Sequence, residues 1–322
     1  MAEPRLNGAV SQVNPEQTRV VDSKKVWATL ITNTKYLTGL LCLDYSLKRT
    51  ESAYPLVALY TDSFPPEGHR ALDDRGIPKK RVNFLQPSED RDLSGDPRFH
   101  ATWSKLTLFS LVEYERVVLL DSDMVVRGNM DELMDLELDP VEMGGKGNRV
   151  FAASHACACN PFNRPHYPKT WVPENCAFTA QHNDPETAQR IGAPCTAGVG
   201  MLNSGLIVAI PSAAIYTACL KQLESPATEE YKFPDQALLS DVYNGRWVAL
   251  PYIYNALKTL RMPGVHDKIW RDDSVKVVHY ILDPKPWNEQ KGQESDITNK
   301  WWWDVNEPRL QDEQKKDIHD GW

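Results

Sequence analysis

The sequence lacks a hydrophobic run of the roughly 20 residues that a transmembrane helix needs, and it lacks an excess of basic residues. Its 36 lysines and arginines are outnumbered by 44 aspartates and glutamates, which gives a formal net charge of −8. No membrane span is therefore expected. A broad positive surface for a nucleic-acid backbone is also excluded, so neither a membrane nor a nucleic acid is an expected partner.

The first 24 residues lack the basic start, the apolar centre and the small-residue cleavage site of a secretory signal. They are mostly polar, and residues 1–24 are predicted to form a disordered extension. Without such a signal the protein is expected to be cytoplasmic. The six cysteines would then remain reduced, because disulfides seldom persist in the cytosol.

The first half of the chain alternates short apolar runs with amphipathic stretches. Strands are predicted at 26–32, 56–62, 81–85 and 116–120, and helices at 37–49 and 103–114. This rhythm predicts a single α/β domain with a Rossmann-like, mostly parallel twisted sheet flanked by helices. The Gly-x-Gly-x-x-Gly motif of dinucleotide-binding proteins is absent after the first strand, which disfavours a nicotinamide or flavin cofactor.

The second half contains a loop-rich stretch followed by regular elements. Residues 141–200 are rich in proline and cysteine and are predicted to be an insertion. Further strands are predicted at 201–210 and 275–281, and helices at 212–223 and 233–243. The domain is predicted to span 25–290. Residues 291–322 are predicted to be a polar tail that three consecutive tryptophans, 301–303, hold against the core.

Asp121 and Asp123 follow the apolar run RVVLL, one residue apart. Alternate residues of a strand project to the same side, so both carboxylates should converge while Ser122 points away. Mg²⁺ or Mn²⁺ prefers such oxygen ligands and often completes its shell with substrate phosphates. A second Asp-x-Asp triplet, at 90–92, is interpreted as a solvated loop, and an acidic chain can contain either triplet by chance.

His279 ends another β-branched run, and Lys285 follows six residues later. Imidazole suits Mn²⁺ better than Mg²⁺, and a nearby lysine can stabilise phosphate oxygens. His279 is thus a candidate third metal ligand. The alternative is a hydrogen-bonded core histidine.

Six segments, read in order, carry a resemblance to a known family: TLITNTKY, LLDSDMVV, LNSGLIV, FPDQALL, LPYIYNAL and VKVVHYILDPKPW. Over about residues 25–290 the chain resembles the family 8 glycosyltransferases, which include the glycogenins and the galactinol synthases. The resemblance implies a GT-A fold, Mn²⁺ with Mg²⁺ as the alternative, and retaining transfer from a UDP-hexose to a small hydroxyl acceptor. It also implies a homodimer as one state to test.

The resemblance implies donor contacts at Thr32, Asn33 and Tyr36 (uracil and ribose), Ser122 (ribose), Asn203 and Ser204 (sugar hydroxyls) and Lys285 (diphosphate). It implies metal ligands at Asp121, Asp123 and His279, and catalytic groups at Lys105, Asp235 and Gln236.

Simpler structural roles remain open at several of these positions. Thr32 and Asn33 are common turn formers, and Tyr36 could belong to the core. The Asn-Ser-Gly stretch at 203–205 could be a plain turn. Asp235 could only cap a helix, since aspartate is favoured in a first helical turn.

The branch of the family is judged from local differences. The segment in which glycogenins carry their self-glucosylated tyrosine has Met262 at the aligned position and contains no tyrosine. Lys232 and Leu282 also depart from the glycogenin pattern. Segments such as SAYPLV, WVPENC and WWWDV resemble galactinol synthases, which favours UDP-galactose over UDP-glucose. The alternatives are a glycogenin-like glucosyltransferase with a separate acceptor and a non-catalytic nucleotide-sugar-binding protein.

The insertion contains zinc-capable side chains at His155, Cys157, Cys159, His166 and Cys176. A Cys-x-Cys pair without a second matching pair is a weak signal for zinc. The sequence therefore favours free buried thiols, in a loop over the acceptor side of the cleft.

Overall fold

The computed structural model describes residues 21–87, 102–294 and 296–322, and these residues form ten strands and six α-helices. The strands are β1 (Lys25–Ile31), β2 (Leu56–Tyr60), β3 (Lys79–Arg81), β4 (Arg116–Leu120), β5 (Met124–Val126), β6 (Phe151–His155), β7 (Leu202–Ala209), β8 (Val248–Ala249), β9 (Ala256–Leu257) and β10 (Val277–His279). The helices are α1 (Leu37–Arg49), α2 (Pro66–Asp74), α3 (Ala177–Ala180), α4 (Ala213–Leu223), α5 (Pro234–Val242) and α6 (Ile297–Gln314).

The main sheet has the order β3-β2-β1-β4-β7-β6-β8. All neighbouring pairs are parallel except those that β7 makes with β4 and β6. Both faces of this sheet are buried. In β4, Val117 and Leu119 join one core cluster, and Val118 and Leu120 join another. The predicted mostly parallel sheet between layers of helices is therefore confirmed.

A second, smaller sheet has the order β5-β10-β9. In it β10 runs antiparallel to β5, with His279 opposite Met124, and the backbone N–H of Tyr280 donates to the carbonyl of Asp123 at 2.9 Å. This pairing brings residue 279 next to residue 123.

Two predicted elements differ from the observed ones. The strand predicted at 81–85 is instead β3, at Lys79–Arg81, because its partner β2 ends at Tyr60, opposite Arg81. The helix predicted at 103–114 is a 3₁₀ helix at Thr102–Ser110. The hydroxyls of Thr107 and Ser110 donate to carbonyls three residues earlier, a spacing that matches the 3₁₀ repeat.

The predicted insertion and tail also contain regular structure. Residues 141–200 include β6, an interior strand of the main sheet, so the loop-rich part covers 156–200. The predicted polar tail contains α6, in which Trp302 is buried against Trp287. The sequence did not predict this helix because the segment is mostly polar and contains Pro308.

Some predictions fall outside the described residues. Most of the 1–24 extension and the whole Asp-x-Asp triplet at 90–92 lie there. Within the described ranges, every helix is too short or too polar to cross a membrane.

Candidate active site

Strand β4 ends at Leu120, as predicted, and Asp121 and Asp123 lie in the turn between β4 and β5 rather than in extended strand. The turn still directs both carboxylates towards His279. The hydroxyl of Ser122 points the other way, as predicted, and lies 3.0 Å from Thr29 Oγ1. A ribose contact at Ser122 would therefore have to use its backbone.

His279 lies between the two carboxylates and a buried amide. Its Nε2 is 3.7 Å from Asp121 Oδ2 and 3.3 Å from Asp123 Oδ1. Its Nδ1 is 2.9 Å from Asn255 Oδ1, and the Asn255 amide donates in turn to Asn203 Oδ1 at 2.8 Å. With Nδ1 donating its proton to Asn255, the Nε2 lone pair faces the carboxylates. His279 is thus a buried, hydrogen-bonded histidine, as the alternative interpretation predicted. Its Nε2 nevertheless faces the carboxylates and can bind a metal ion.

A lysine binds the other oxygen of each carboxylate. Lys105 Nζ is 2.7 Å from Asp121 Oδ1, and Lys285 Nζ is 2.5 Å from Asp123 Oδ2. Burial lowers the pKa of both lysines, but the neighbouring carboxylates outweigh it and the net pKa shift is upward. Burial raises the pKa of Asp123, yet the charged Lys285 opposes this effect and holds that pKa well below its usual range. Both lysines and the Asp123 carboxylate are therefore charged near neutral pH.

These residues fit a divalent metal ion. One ligand atom each from Asp121, Asp123 and His279 lies within 4.8 Å of the other two. Two carboxylate oxygens and one imidazole nitrogen suit Mn²⁺. Each lysine binds one oxygen of its carboxylate, so the second oxygen of Asp121 and of Asp123 faces His279. Asn255 orients the ring of His279 and would thereby support a metal ion bound here.

Two glycines allow this close assembly. A Cβ on Gly205 would lie 2.4 Å from Cε1 of His279, and one on Gly39 would lie 2.4 Å from the carbonyl oxygen of Ser122. Gly205 belongs to β7, where the register with β6 shifts after the pair Ala153 and Ile207. Such irregularities often occur beside active sites, where they redirect side chains. Because Asn203, Ser204 and Gly205 lie in this strand, their interpretation as a plain turn is wrong.

One cavity gathers most of the predicted site residues, including the three candidate metal ligands: Tyr36, Lys105, Asp121, Asp123, Asn203, Ser204, Asp235, Gln236, His279 and Lys285. The described cavity wall does not include Thr32, Asn33 or Ser122. Asn33 accepts a hydrogen bond from the Lys35 N–H at 2.9 Å and begins a 3₁₀ helix. The turn-forming role proposed as an alternative for Asn33 is therefore observed.

Asp235 lies in the first turn of α5, beside Lys105 and inside the cavity. Only 3% of this residue is exposed, and its Oδ2 accepts no hydrogen bond from any described residue. Lys105 Nζ is 3.7 Å from that oxygen. The helix begins after Phe233 without a side-chain cap, so Asp235 lies in the first turn but does not cap the helix through a hydrogen bond. A buried carboxylate oxygen of this kind can accept a bond from a substrate or act on one.

Sequence reasoning missed two parts of the site. One is Asn255, which lies in the segment LPYIYNAL and was assigned no role there. The other is an aromatic wall of Tyr167, Trp171 and Phe233, in which the last two rings stack at 4.6 Å and 15°. The proline-rich composition around Trp171 signalled a loop, but only the folded chain brings it to Phe233.

The chain was compared with known proteins. Residues 28–291 match the profile of Glycosyl transferase family 8. Galactinol synthase 1 of Arabidopsis thaliana is 27% identical over 316 residues, which cover 95% of this chain and 86% of that protein. An uncharacterised protein of Acanthamoeba polyphaga mimivirus is 28% identical over 268 residues, with 82% of each chain covered.

Two solved structures share the fold. Galactosyltransferase LgtC, crystallised with donor and acceptor sugar analogues, superposes with a TM-score of 0.55 at 16% identity, over 90% of this chain and 100% of its own. GlyE of Streptococcus pneumoniae superposes with a TM-score of 0.56 at 17% identity, over 91% of this chain. This chain spans slightly less than two thirds of GlyE, 65%. The family profile covers most of the described domain and the superpositions confirm the GT-A fold, so the chain belongs to glycosyl transferase family 8 and is a glycosyltransferase.

Proposed function

We propose that this glycosyltransferase is a Mn²⁺-dependent retaining α-hexosyltransferase. Its donor is UDP-galactose or UDP-glucose, and its acceptor is a small polyol or sugar, as in galactinol synthases. The observation that carries the proposal is the convergence of Asp121, Asp123 and His279 at a cavity that also contains Lys285 and Asp235. The similarity to galactinol synthases supports UDP-galactose as the first donor to test.

The charges of the cavity suit a nucleoside diphosphate sugar. Asp121, Asp123 and His279 would hold the cation, which neutralises negative charge on the departing diphosphate when it is bound. Lys285 would then contact diphosphate oxygens from a fixed position, since its Nζ also donates to the carbonyl of Tyr280 at 2.7 Å. Tyr36 offers an aromatic face beside Lys285, with the lysine Nζ 5.6 Å from its ring centroid. We assign this end of the cavity to the nucleotide.

The hexose would occupy the part of the cavity near Asn203, Ser204 and Asp235. Ser204 and Asp235 are buried polar residues on the cavity wall and can hydrogen-bond sugar hydroxyls. Tyr167, Trp171 and Phe233 offer aromatic faces to the apolar face of a sugar or polyol ring. This wall is our assignment for the acceptor.

In the reaction, the bond between the anomeric carbon and the diphosphate oxygen breaks, and a bond to the acceptor oxygen forms. Retention follows either from two displacements through a carboxylate or from entry of the acceptor on the face that the diphosphate leaves. Asp235 is the carboxylate for the first route, and in the second it stabilises positive charge at the anomeric carbon. In either route the acceptor proton would pass to a phosphate oxygen of the diphosphate, which is still held in the cavity. Gln236, also on the cavity wall, would orient the sugar.

The test is a transfer assay with purified protein, Mn²⁺, a panel of UDP-hexoses and a panel of polyols and sugars that includes myo-inositol. We expect UDP release that requires Mn²⁺, and a product whose α-anomeric configuration is read by NMR. Asp62→Asn is the matched control for Asp121→Asn, because Asp62 also follows a parallel strand but its side chain is 74% exposed and pairs with Arg81. The proposal fails if no UDP-sugar is bound or turned over.

A further inference from the structure

A second cluster of metal-binding side chains lies in the loop-rich region, apart from the two aspartates. Cys157, Cys159, Cys176 and His266 each offer one ligand atom within 4.8 Å of the other three. His266 Nε2 is 3.1 Å from Cys159 Sγ and 3.3 Å from Cys176 Sγ. We propose that these four residues form a structural zinc site of the Cys₃His type. This proposal does not depend on the donor or acceptor proposed above.

The ligand set favours zinc over hydrogen-bonded thiols. In a tetrahedral zinc site with ordinary bond lengths, neighbouring ligand atoms lie about 3.5–3.8 Å apart, so His266 Nε2 would move a few tenths of an ångström away from the sulfurs of Cys159 and Cys176 to admit the ion. One imidazole nitrogen has a single in-plane lone pair, so it cannot fully satisfy the thiols of both Cys159 and Cys176. A metal ion bound to all four atoms satisfies the whole cluster. Because the protein supplies four ligands, no position is left for substrate, which is typical of structural sites.

The environment of His266 supports this role. The residue is fully buried, and its Nδ1 lies 2.9 Å from His182 Nε2. In the tautomer that a metal ligand requires, His266 donates its Nδ1–H to His182 and turns the Nε2 lone pair towards the sulfurs. Zinc-bound histidines generally make such an outer hydrogen bond. His182 is therefore a positioning residue rather than a ligand.

The proposed zinc would stabilise one wall of the catalytic cavity. Cys159 and Cys176 bracket the loop that carries Tyr167 and Trp171, and Cys157 itself lines the cavity. His266 comes from a segment 90 residues after Cys176 and 107 after Cys159. One ion would thus tie both ends of the aromatic loop to a distant part of the chain.

Two residues that the sequence offered for zinc lie elsewhere. His155 Nε2 is 3.0 Å from the carbonyl of Pro194, and His166 lies on the cavity wall against Tyr167. The fourth ligand is His266, which the sequence analysis did not connect with the cysteines.

The experiment measures metal content by plasma mass spectrometry on the full chain, purified without chelator and then dialysed against EDTA to remove weakly held Mn²⁺. We expect about one zinc ion per chain. Cys159→Ser and His266→Gln should lose it, whereas Cys195→Ser should retain it, because Cys195 is half-buried but outside the cluster. Asp121→Asn should also retain zinc, which separates this test from failure of the donor proposal.

If the ligand variants do not fold, the wild type still decides the question. A mercurial reagent should release zinc in step with modification of the thiols, as followed with a chromogenic chelator. Cobalt exchanged into the site should show the visible bands of tetrahedral thiolate coordination. His182→Gln should weaken zinc affinity by about 10–100-fold in chelator competition, a readout that a purely structural role for His182 would not change.

Three results would overturn the proposal. The first is wild-type protein without zinc after growth in zinc-supplemented medium. The second is a disulfide among Cys157, Cys159 and Cys176 in a peptide digest made under alkylating conditions. The third is unchanged zinc content in both Cys159→Ser and His266→Gln.

Discussion

The two candidate metal sites of this protein, one of carboxylates and one of thiols, differ in almost every physical respect. The Asp121, Asp123 and His279 site is surrounded by lysines and opens onto the cavity. The cluster at Cys157, Cys159, Cys176 and His266 takes all four ligand atoms from the protein. In both sites a second side chain holds the outer nitrogen of the histidine: Asn255 beside His279 and His182 beside His266.

The two candidate sites differ in location because their ions would have different tasks. A catalytic cation needs vacant positions for substrate oxygens, so its ligands belong at a sheet edge that faces a cavity. A structural ion needs a complete shell and can lie between loops that would otherwise be weakly held. The parallel half of the fold is stabilised by strands buried on both faces, whereas the 156–200 region contains only one short α-helix, α3.

The largest expected effect comes from removing a carboxylate of the first site. Asp121→Asn should reduce kcat/KM for transfer by about a thousandfold, or roughly 4 kcal/mol, because it removes a metal ligand. It should leave the zinc content unchanged. Steady-state kinetics over a range of Mn²⁺ concentrations measures the effect, with Asp62→Asn as the control. Full Mn²⁺-dependent activity in the variant would rule out this metal site.

Asp235→Asn should come next, because it removes charge beside the proposed sugar position without removing one of the proposed metal ligands. We expect kcat to fall by about 10²–10³-fold while UDP-sugar affinity, measured by calorimetry, changes little. Asp241→Asn is the matched control, since Asp241 lies in the same helix but is exposed and outside the cavity. An equal loss in both variants would show that the effect comes from the helix rather than from the carboxylate.

Gly205→Ala should separate the two metal sites, because the substitution disturbs His279 but does not touch His266. The new methyl group would lie 2.4 Å from His279, so the ring must shift, at a stability cost of about 1–3 kcal/mol. We expect weaker Mn²⁺ activation with normal zinc content, and urea unfolding gives the stability. In Gly128→Ala the nearest atom is 3.8 Å away, so this control should be close to wild type. Normal Mn²⁺ activation of Gly205→Ala would show that the position of His279 is not critical.

The smallest expected effect concerns Leu282, one of the two residues that depart from the glycogenin pattern. Its φ of 67° is in the left-handed region, which costs a residue with a Cβ about 1–2 kcal/mol. Leu282→Gly should therefore be more stable than Leu282→Ala by about 1 kcal/mol in urea unfolding. The alanine variant loses the same side chain beyond Cβ, so the difference reports the backbone alone. A less stable glycine variant would contradict the argument.

Local patterns predicted much of the fold. The boundaries of β1, α1, β4, α4 and α5 agree with the predictions within about two residues, because apolar periodicity and turn residues are local properties. Helix α6 was missed because its contacts are distant: Arg75 binds Glu313 at 2.8 Å, and Trp302 packs against Trp287. Such contacts stabilise a helix that the local sequence pattern does not predict.

The sequence by itself determined the strand rhythm, the two aspartates at a strand end, and the order of the motifs that indicate the family. These depend on residue type and on spacing along a short stretch of chain. Only the tertiary structure decided that His266 lies with the cysteines, and how His279, already a candidate ligand in the sequence, approaches the aspartates. His279 reaches Asp123 through strand pairing, whereas His266 reaches the cysteines across loops. Neither approach can be deduced from sequence spacing, because it depends on how separate elements pack.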